Sequence, residues 1–171
     1  VKYHKNKILT ICQEKYIKAL LLQYKEHLGN LSPSSQIPIC PKVSLSKKDC
    51  PVIGSEEWKQ QQSYPFRELI GALMYLAHAT RPDIAHTVGE LSRYVSNPGK
   101  VHWNVLLRLC KYLAHTCAHG LYFDGNADEG DQVYGYSDAS YGSDVDSRNS
   151  KSAYVIRVWG GTVSWKSKLQ N

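Results

Sequence analysis

The first thirty residues change from an alternating pattern to a helical one. Residues 2–11 alternate loosely between apolar and polar side chains on either side of residues 5–7, which predicts a short hairpin. Residues 13–27 then place apolar side chains three and four positions apart, and Gly29 follows as a helix stop signal. This part of the chain therefore predicts an N-terminal hairpin followed by one helix.

Residues 30–63 show no hydrophobic period. The segment is rich in serine, proline and lysine and reads LSPSSQIPICPKVSLSKKDCPVIGSEEW over residues 31–58. This composition is typical of an extended segment. We expect a linker that either separates two structural units or wraps over one of them.

Three helices are expected after this linker. The first covers about residues 65–77, and the third covers about residues 101–114. The second begins near residue 80, where Pro82 and Asp83 suit the first turn of a helix, and it ends before the Asn-Pro-Gly sequence that starts at residue 97. The three together predict a helical unit.

One side of the third helix is polar. Asn104, Arg108, Lys111 and His115 follow one another at spacings of four, three and four residues, so they share one face. Two readings remain open: the face binds phosphates, or it is a solvated helix surface, which is the commoner meaning of this pattern.

After Gly120 the hydrophobic period becomes two. Short alternating runs at residues 121–123, 132–139, 153–159 and 162–166 predict four strands. The Gly160-Gly161 pair between the last two runs is a signal for a two-residue hairpin turn. We expect an antiparallel meander whose sheet is unfinished after its last strand.

Composition places the chain among soluble globular proteins. It has 171 residues, of which 42% are hydrophobic and 21% charged, and no apolar run approaches the ~20 residues of a membrane span. The net charge of +6 is unevenly spread, since residues 1–70 are basic while residues 124–146 contain acids and no Lys or Arg. A basic surface suits nucleic acid, although solubility is the commoner reason for a modest excess.

The cysteines and the first residue bear on the origin of the chain. Five cysteines without a CxxC pair or a secretory signal indicate reduced thiols in an intracellular protein, either cytoplasmic or nuclear. The chain begins with Val1 and its single methionine is Met74, so we expect a piece of a longer polypeptide.

Common catalytic and metal-binding motifs are absent from the sequence. It contains no glycine-rich phosphate loop and no GxSxG turn. His115, Cys117 and His119 lie close together, but a zinc site requires a fourth ligand at a recognisable spacing and none completes the set.

A group of carboxylates near the end of the sequence is the remaining candidate. Asp138 ends an alternating run, so its side chain is either exposed or partly buried in a site. Hard divalent cations prefer several oxygen ligands, which one strand seldom supplies alone. Asp144 and Asp146 are interpreted as solvent-facing loop carboxylates.

The longest informative stretch is YPFRELIGALMYLAHATRPDIAHTVGELSRYVSNPGKVHW, residues 64–103. It closely resembles the Pol polyprotein of copia-type LTR retrotransposons just after the polymerase core. LTICQEKYIKALLLQY is similar to the segment that follows the polymerase palm in this family. GYSDASYGSDVDSRNSKSAYV resembles the opening of the family's RNase H domain, and GGTVSWKSKLQ resembles its third strand.

The resemblance implies an α+β fold in four parts. Residues 1–29 correspond to a hairpin and a thumb-like helix at the end of reverse transcriptase, and residues 30–63 to the extended linker. Residues 64–119 correspond to a three-helix connection, and residues 120–171 to an incomplete, truncated RNase H-like domain with antiparallel strands.

The resemblance also implies roles for individual residues. Asp138 corresponds to the first metal-binding, catalytic carboxylate of RNase H, where two Mg²⁺ or Mn²⁺ ions act on RNA. Lys100, Arg108 and Lys111 correspond to positions that contact an RNA:DNA hybrid. The implied partners are nucleic acid and the remaining Pol domains, with no membrane.

The chain departs from the family pattern at several positions. Ser140 and Tyr141 stand where the family has an acid and a tryptophan, Ala153 replaces a glycine, and Leu107 and Ala114 replace basic residues. We expect that this chain alone is not an enzyme and binds no metal tightly. The alternatives are a truncated or domesticated copy that acts as a stand-alone interaction protein, or a non-functional remnant.

Overall fold

Six helices form the body of the molecule in the computed structural model, which describes residues 1–4, 7–32, 36–125 and 133–170. We number them in chain order as α1 Glu14–Gln23, α2 Lys25–Leu28, α3 Glu56–Gln62, α4 Phe66–Ala79, α5 Ala85–Ser92 and α6 Lys100–His115. Two 3₁₀ turns, Lys47–Asp49 and Pro82–Ile84, accompany them. None of the helices in these described ranges is long and apolar enough to cross a bilayer.

The hydrophobic core lies among α1, α4, α5 and α6, which we call the helical body. Its fully enclosed side chains recur at helical spacing, because only one face of each helix turns inward. They include Ile17, Leu69, Leu73, Leu76, Ile84, Leu91, Leu106, Leu109 and Leu113, none of them more than 1% exposed. The long predicted helices at residues 65–77 and 101–114 are confirmed to within two residues at each end.

The segment predicted to be an extended linker contains helical structure. The side chain of Ser55 accepts a hydrogen bond from the Trp58 amide (3.1 Å) and so caps α3. Ser46 caps the 3₁₀ turn in the same way, through the Lys48 amide (3.2 Å). The sequence did not indicate this helix within the expected linker, because a helix of seven residues whose buried side chain is Gln61 has no hydrophobic period to detect.

Three antiparallel strands, in spatial order, form the first sheet: β1 Lys2–His4, β2 Ile8–Cys12 and β3 Gly120–Asp124. The β1–β2 pairing confirms the strands of the predicted hairpin, whose centre at residues 5–6 lies outside the described residues. β3 pairs with β2, so that Cys12 faces Gly120 and Ile8 faces Asp124.

The second sheet, also antiparallel, consists of β4 Val133–Ser140, β5 Lys151–Val158 and β6 Gly161–Leu169 in that order. The prediction of one four-stranded meander was therefore wrong, since β3 belongs to the first sheet. Alternation indicates a strand but not its partner. Here β3 can lie against β2 because residue 120 is a glycine. A side chain at this position would collide with the Ile11 carbonyl.

The two sheets adjoin where β3 meets the β5–β6 hairpin. The ring of Phe123 occupies the space that a side chain at Gly161 would need. The hairpin turn itself is Trp159-Gly160, with φ values of 50° and 66°, one residue earlier than the sequence signal suggested. On the other side of β6, Trp165 donates from Nε1 to the Ala77 carbonyl at the end of α4 (2.7 Å).

These elements confirm a mixed α+β fold of helices and two small three-stranded sheets. The division into four parts and the RNase H-like character of the last strands stay predictions.

Candidate functional site

Asp138 lies on β4, where it faces the start of α5. The strand register places Asp138 opposite Ala153 and Ala153 opposite Ser167, so the three residues form one row across the second sheet. His86 of α5 contacts the end of this row, with 3.3 Å between its Nδ1 and the Ser167 Oγ. Asp138 and His86 both line two adjacent cavities of about 280 and 300 Å³. The Asp138 side chain is exposed.

The described surroundings of Asp138 do not fit a site for two divalent cations. Such a site needs several carboxylates from separate elements. Nowhere in residues 1–4, 7–32, 36–125 and 133–170 do three or more His, Cys, Asp or Glu side chains come together as a metal-binding group. Within the described ranges, Asp138 therefore has no group of further metal ligands beside it.

Asp144 is buried, contrary to its interpretation as a solvent-facing carboxylate. Its side chain is 1% exposed, and its Oδ1 lies 2.5 Å from Nη1 of Arg93, which follows α5. The Ser147 amide and hydroxyl donate to its Oδ2 at 2.8 and 2.6 Å. Burial alone would raise the pKa of this carboxyl, but Arg93 and Ser147 outweigh it and hold the pKa well below the usual range.

Asp146 is also held by other parts of the chain. It accepts hydrogen bonds from the Ser46 hydroxyl (2.7 Å), the Lys47 amide (2.9 Å) and the Tyr94 hydroxyl (3.2 Å). Burial opposes ionisation, yet these donors lower the pKa of the Asp146 carboxyl below its ordinary value. The prediction of two solvated carboxylates was wrong because all their partners except Ser147 lie about fifty to one hundred positions away, where sequence spacing carries no signal.

We call residues 141–150, between β4 and β5, the acidic loop. Besides Asp144 and Asp146, its neighbourhood contains Lys151 at the start of β5, whose Nζ lies 2.9 Å from Glu90 of α5. Glu90 is in turn 3.4 Å from Arg93. Charges of alternating sign thus connect the second sheet to the helical body.

The predicted polar face of α6 is formed as expected from its spacing. Lys100, Asn104 and His115 are exposed, and Arg108 and Lys111 are half-buried on the same side. The Nε of Arg108 is shielded from water, and within the described ranges it has no hydrogen-bond partner. Because its Nε is covered by protein atoms, a phosphate could meet Arg108 only through the part of the side chain that reaches the surface.

A buried hydrogen-bond network surrounds Arg81, and the sequence pattern did not indicate it. Arg81, only 1% exposed, donates from Nη2 to Asp83 (2.7 Å) and from Nη1 to the Thr116 carbonyl (2.9 Å), and Tyr112 donates to Asp83 (2.8 Å). Although burial works against it, Arg81 lowers the pKa of the Asp83 carboxyl. The Thr-Arg-Pro-Asp sequence at residues 80–83 was the available signal. In the structure it connects the end of α4 to the end of α6.

Comparisons with known proteins connect this chain to mobile elements. It is 39% identical over 171 residues to the retrovirus-related Pol polyprotein from transposon TNT 1-94 of Nicotiana tabacum, a match that covers 99% of this chain and 12% of the polyprotein. The corresponding polyprotein from transposon RE2 of Arabidopsis thaliana is 39% identical over 106 residues, which is 61% of this chain and 7% of that protein.

A third relative is much shorter. Secreted RxLR effector protein 161 of Plasmopara viticola is 44% identical over 111 residues, covering 64% of this chain and 75% of that protein. No family model and no solved structure matches the chain. With relatives in several transposon polyproteins, the chain is a homologue of copia-type retrotransposon Pol polyproteins and corresponds to a short stretch of them.

Proposed function

We propose that this chain is the part of a copia-type Pol polyprotein that joins reverse transcriptase to RNase H, and that it holds an RNA:DNA hybrid by its phosphates. The observation that carries the proposal is the polar face of α6. There, three cations, Lys100, Arg108 and Lys111, lie along one side of a well-packed helix.

The geometry of α6 suits a phosphate backbone. Lys100 and Lys111 are separated by about 16 Å along the helix axis, from the rise of 1.5 Å per residue, and Arg108 lies between them on the same face. Three cations at this separation reach more than one phosphate. The opposite face, with Trp103, Leu106 and Leu113, is buried in the core and keeps the helix in place.

Asp138 has a different role in this proposal. The resemblance to RNase H would make Asp138 one carboxylate of a Mg²⁺ or Mn²⁺ site, but the described residues near it do not complete such a site. We therefore propose that this chain binds nucleic acid without cleaving it, and that the remaining Pol domains are its partners. Its proposed location is the cytoplasm or the nucleus.

One observation favours a second candidate function. The stretch shared with the Plasmopara viticola relative makes up 75% of that protein, which is named a secreted effector. A segment of this kind therefore also exists as most of a separate protein. Under this alternative, the chain is a stand-alone interaction protein, and it elutes from size-exclusion chromatography as a discrete species. A non-functional remnant is expected to aggregate instead.

Binding of a fluorescently labelled RNA:DNA hybrid, followed by anisotropy over a range of salt concentrations, tests the proposed function. Three phosphate contacts give a slope of log K against log salt of about −3, since each contributes about 0.9. A duplex of DNA alone shows whether the hybrid is preferred. No binding at low salt, or binding that does not change with salt, would contradict the proposal.

A further inference from the structure

His102 of α6 is completely buried in a polar environment. Its Nδ1 accepts a hydrogen bond from the Gly99 amide (2.9 Å), so the ring is neutral with its proton on Nε2. The Nε2 has no hydrogen-bond partner in the described part of the chain. The ring stacks on Tyr94, with 4.0 Å between the centroids.

The Tyr94 side chain connects His102 to the acidic loop. Its hydroxyl donates to Asp146 (3.2 Å), which also accepts from the Ser46 hydroxyl and the Lys47 amide. His102 therefore supports the tyrosine that helps to hold the acidic loop against the 3₁₀ turn. The Asp49 carbonyl packs directly on Gly99, so closely that a side chain would not fit at this position.

A proton on His102 would disturb this arrangement. Both ring nitrogens of an imidazolium are donors, so the Gly99 N–H would face a second N–H instead of a lone pair. The carboxylates of Asp49 and Asp146 attract the added charge, and the Arg93 guanidinium lies 5.6 Å from the centroid of the Tyr94 ring. Burial outweighs the two carboxylates and lowers the pKa of His102.

One further titratable group lies near Asp146. Cys50, half-buried after the 3₁₀ turn, has its pKa raised by burial and by Asp146, so it is neutral at physiological pH and adds no charge. His102 is thus the group near Asp146 whose ordinary pKa, about 6.5, favours uptake of a proton in mildly acidic solution once its surroundings open.

We propose that the contacts of Asp146 with Tyr94, Ser46 and Lys47 form an acid-released latch, which opens when His102 takes up a proton. Protonation breaks the Gly99 bond and moves the Tyr94 ring, and the acidic loop loses its hold on the 3₁₀ turn. Arg93 lies 2.5 Å from Asp144 but 3.9 Å from Asp146, so its close ion pair with Asp144 stays in place when the Asp146 contacts open. The release is therefore local to the Asp146 end of the loop.

Amide hydrogen exchange followed residue by residue by NMR on the whole chain tests the latch. The Lys47 amide donates to Asp146 and reports the latch directly, whereas the Ser147 amide donates to Asp144 and serves as an internal control. From about pH 7 to about pH 5, after correction for intrinsic exchange, we expect the protection of Lys47 to fall about tenfold or more while that of Ser147 stays constant. Unchanged protection at Lys47, or an equal fall at both amides, overturns the proposal.

Two variants test whether His102 is the group that takes up the proton and whether Tyr94 transmits the effect to Asp146. His102→Gln keeps an acceptor for Gly99 but cannot take up a proton, so Lys47 protection should no longer depend on pH in this range. Tyr94→Phe removes the hydroxyl, so Lys47 protection should be low at both pH values. His27→Gln, at an exposed position, should behave like the wild type. If His102→Gln does not fold, the wild type and Tyr94→Phe still decide: a pH response that survives in Tyr94→Phe overturns the proposal.

Discussion

Arg93 and Asp144 form an ion pair with 2.5 Å between Nη1 and Oδ1, in which the aspartate side chain is 1% exposed and the arginine 22%. The pair joins the segment after α5 to the acidic loop, and so it attaches the second sheet to the helical body. Removing one partner would leave the other charge in a poorly solvated position.

A double-mutant cycle measures what this pair contributes. We expect Arg93→Met and Asp144→Asn each to lower the free energy of unfolding by about 2–3 kcal/mol, because each leaves a buried charge or polar group without its partner. The double variant should lose clearly less than the sum, with a coupling energy of about 2 kcal/mol. Urea unfolding followed by tryptophan fluorescence provides the four values.

The exposed pair of Glu14 and Lys18 is the matched control. Its charges are as close, at 2.7 Å, but the lysine side chain is 63% exposed. Water and salt screen such a pair, so the cycle of Glu14→Gln and Lys18→Met should show little coupling. Equal coupling in the two cycles would contradict the importance given to the buried pair.

Stability should fall in acid in a defined range. The pKa values of Asp83, Asp144 and Asp146 are lowered in the folded state. Their stabilisation is therefore complete above the unfolded value of about 3.9 and is lost as the pH falls towards the folded values. In urea unfolding at pH 7, 5 and 3, the loss from these groups should be absent between pH 7 and 5, begin between pH 5 and 3, and continue below pH 3.

The same series in Asp144→Asn identifies one contributor. This variant starts from a lower stability at pH 7 and should lose less between pH 5 and 3, since it has one fewer carboxylate to protonate. An unchanged acid loss in the variant would mean that Asp144 does not contribute.

Glycine substitutions test the pairing of β3 with β2. Gly120→Ala would place a Cβ against the Ile11 carbonyl and 2.9 Å from the Cys12 Cα, so we expect a loss of about 2 kcal/mol. Gly71→Ala in α4 meets no atom within 4 Å and should stabilise the helix by about 0.5–1 kcal/mol. Thermal unfolding distinguishes these opposite signs, and a harmless Gly120→Ala would argue against the β2–β3 ladder.

RNA cleavage provides a test at Asp138. We expect no cleavage of the RNA strand of a hybrid in Mg²⁺ or Mn²⁺, because no group of three metal-binding side chains occurs in the described residues. Wild type and Asp138→Asn should therefore give the same background on a denaturing gel. Robust cleavage that disappears in Asp138→Asn would contradict this expectation.

The sequence predicted secondary structure best where one hydrophobic period continued over several turns. The patterns that predicted α4 and α6 extend over three or more turns, and both helices begin and end within two residues of the expected positions. The spacing of Asn104, Arg108, Lys111 and His115 likewise sufficed to place them on one face.

Features that depend on distant partners could not be found in this way. The burial of Asp144 depends on Arg93, and the position of β3 depends on β2, more than one hundred residues earlier. The buried state of Arg81 depends on Thr116 and Asp83 together. In each case the local pattern is the same whether the partner is present or absent, so only the folded chain distinguishes the two.

Whether α6 binds nucleic acid is decided by the affinity of the chain for an RNA:DNA hybrid after the cations of its polar face are neutralised. Lys100→Gln, Arg108→Gln and Lys111→Gln together remove the polar face's cations, and Lys25→Gln, Lys42→Gln and Lys59→Gln remove three exposed lysines elsewhere as a matched control. We expect the α6 triple variant to bind about tenfold more weakly or worse, with the salt slope reduced by about 3, and the control to stay close to the wild type. Equal losses in the two triple variants, or no loss in the α6 variant, would contradict the assignment of this face to nucleic acid.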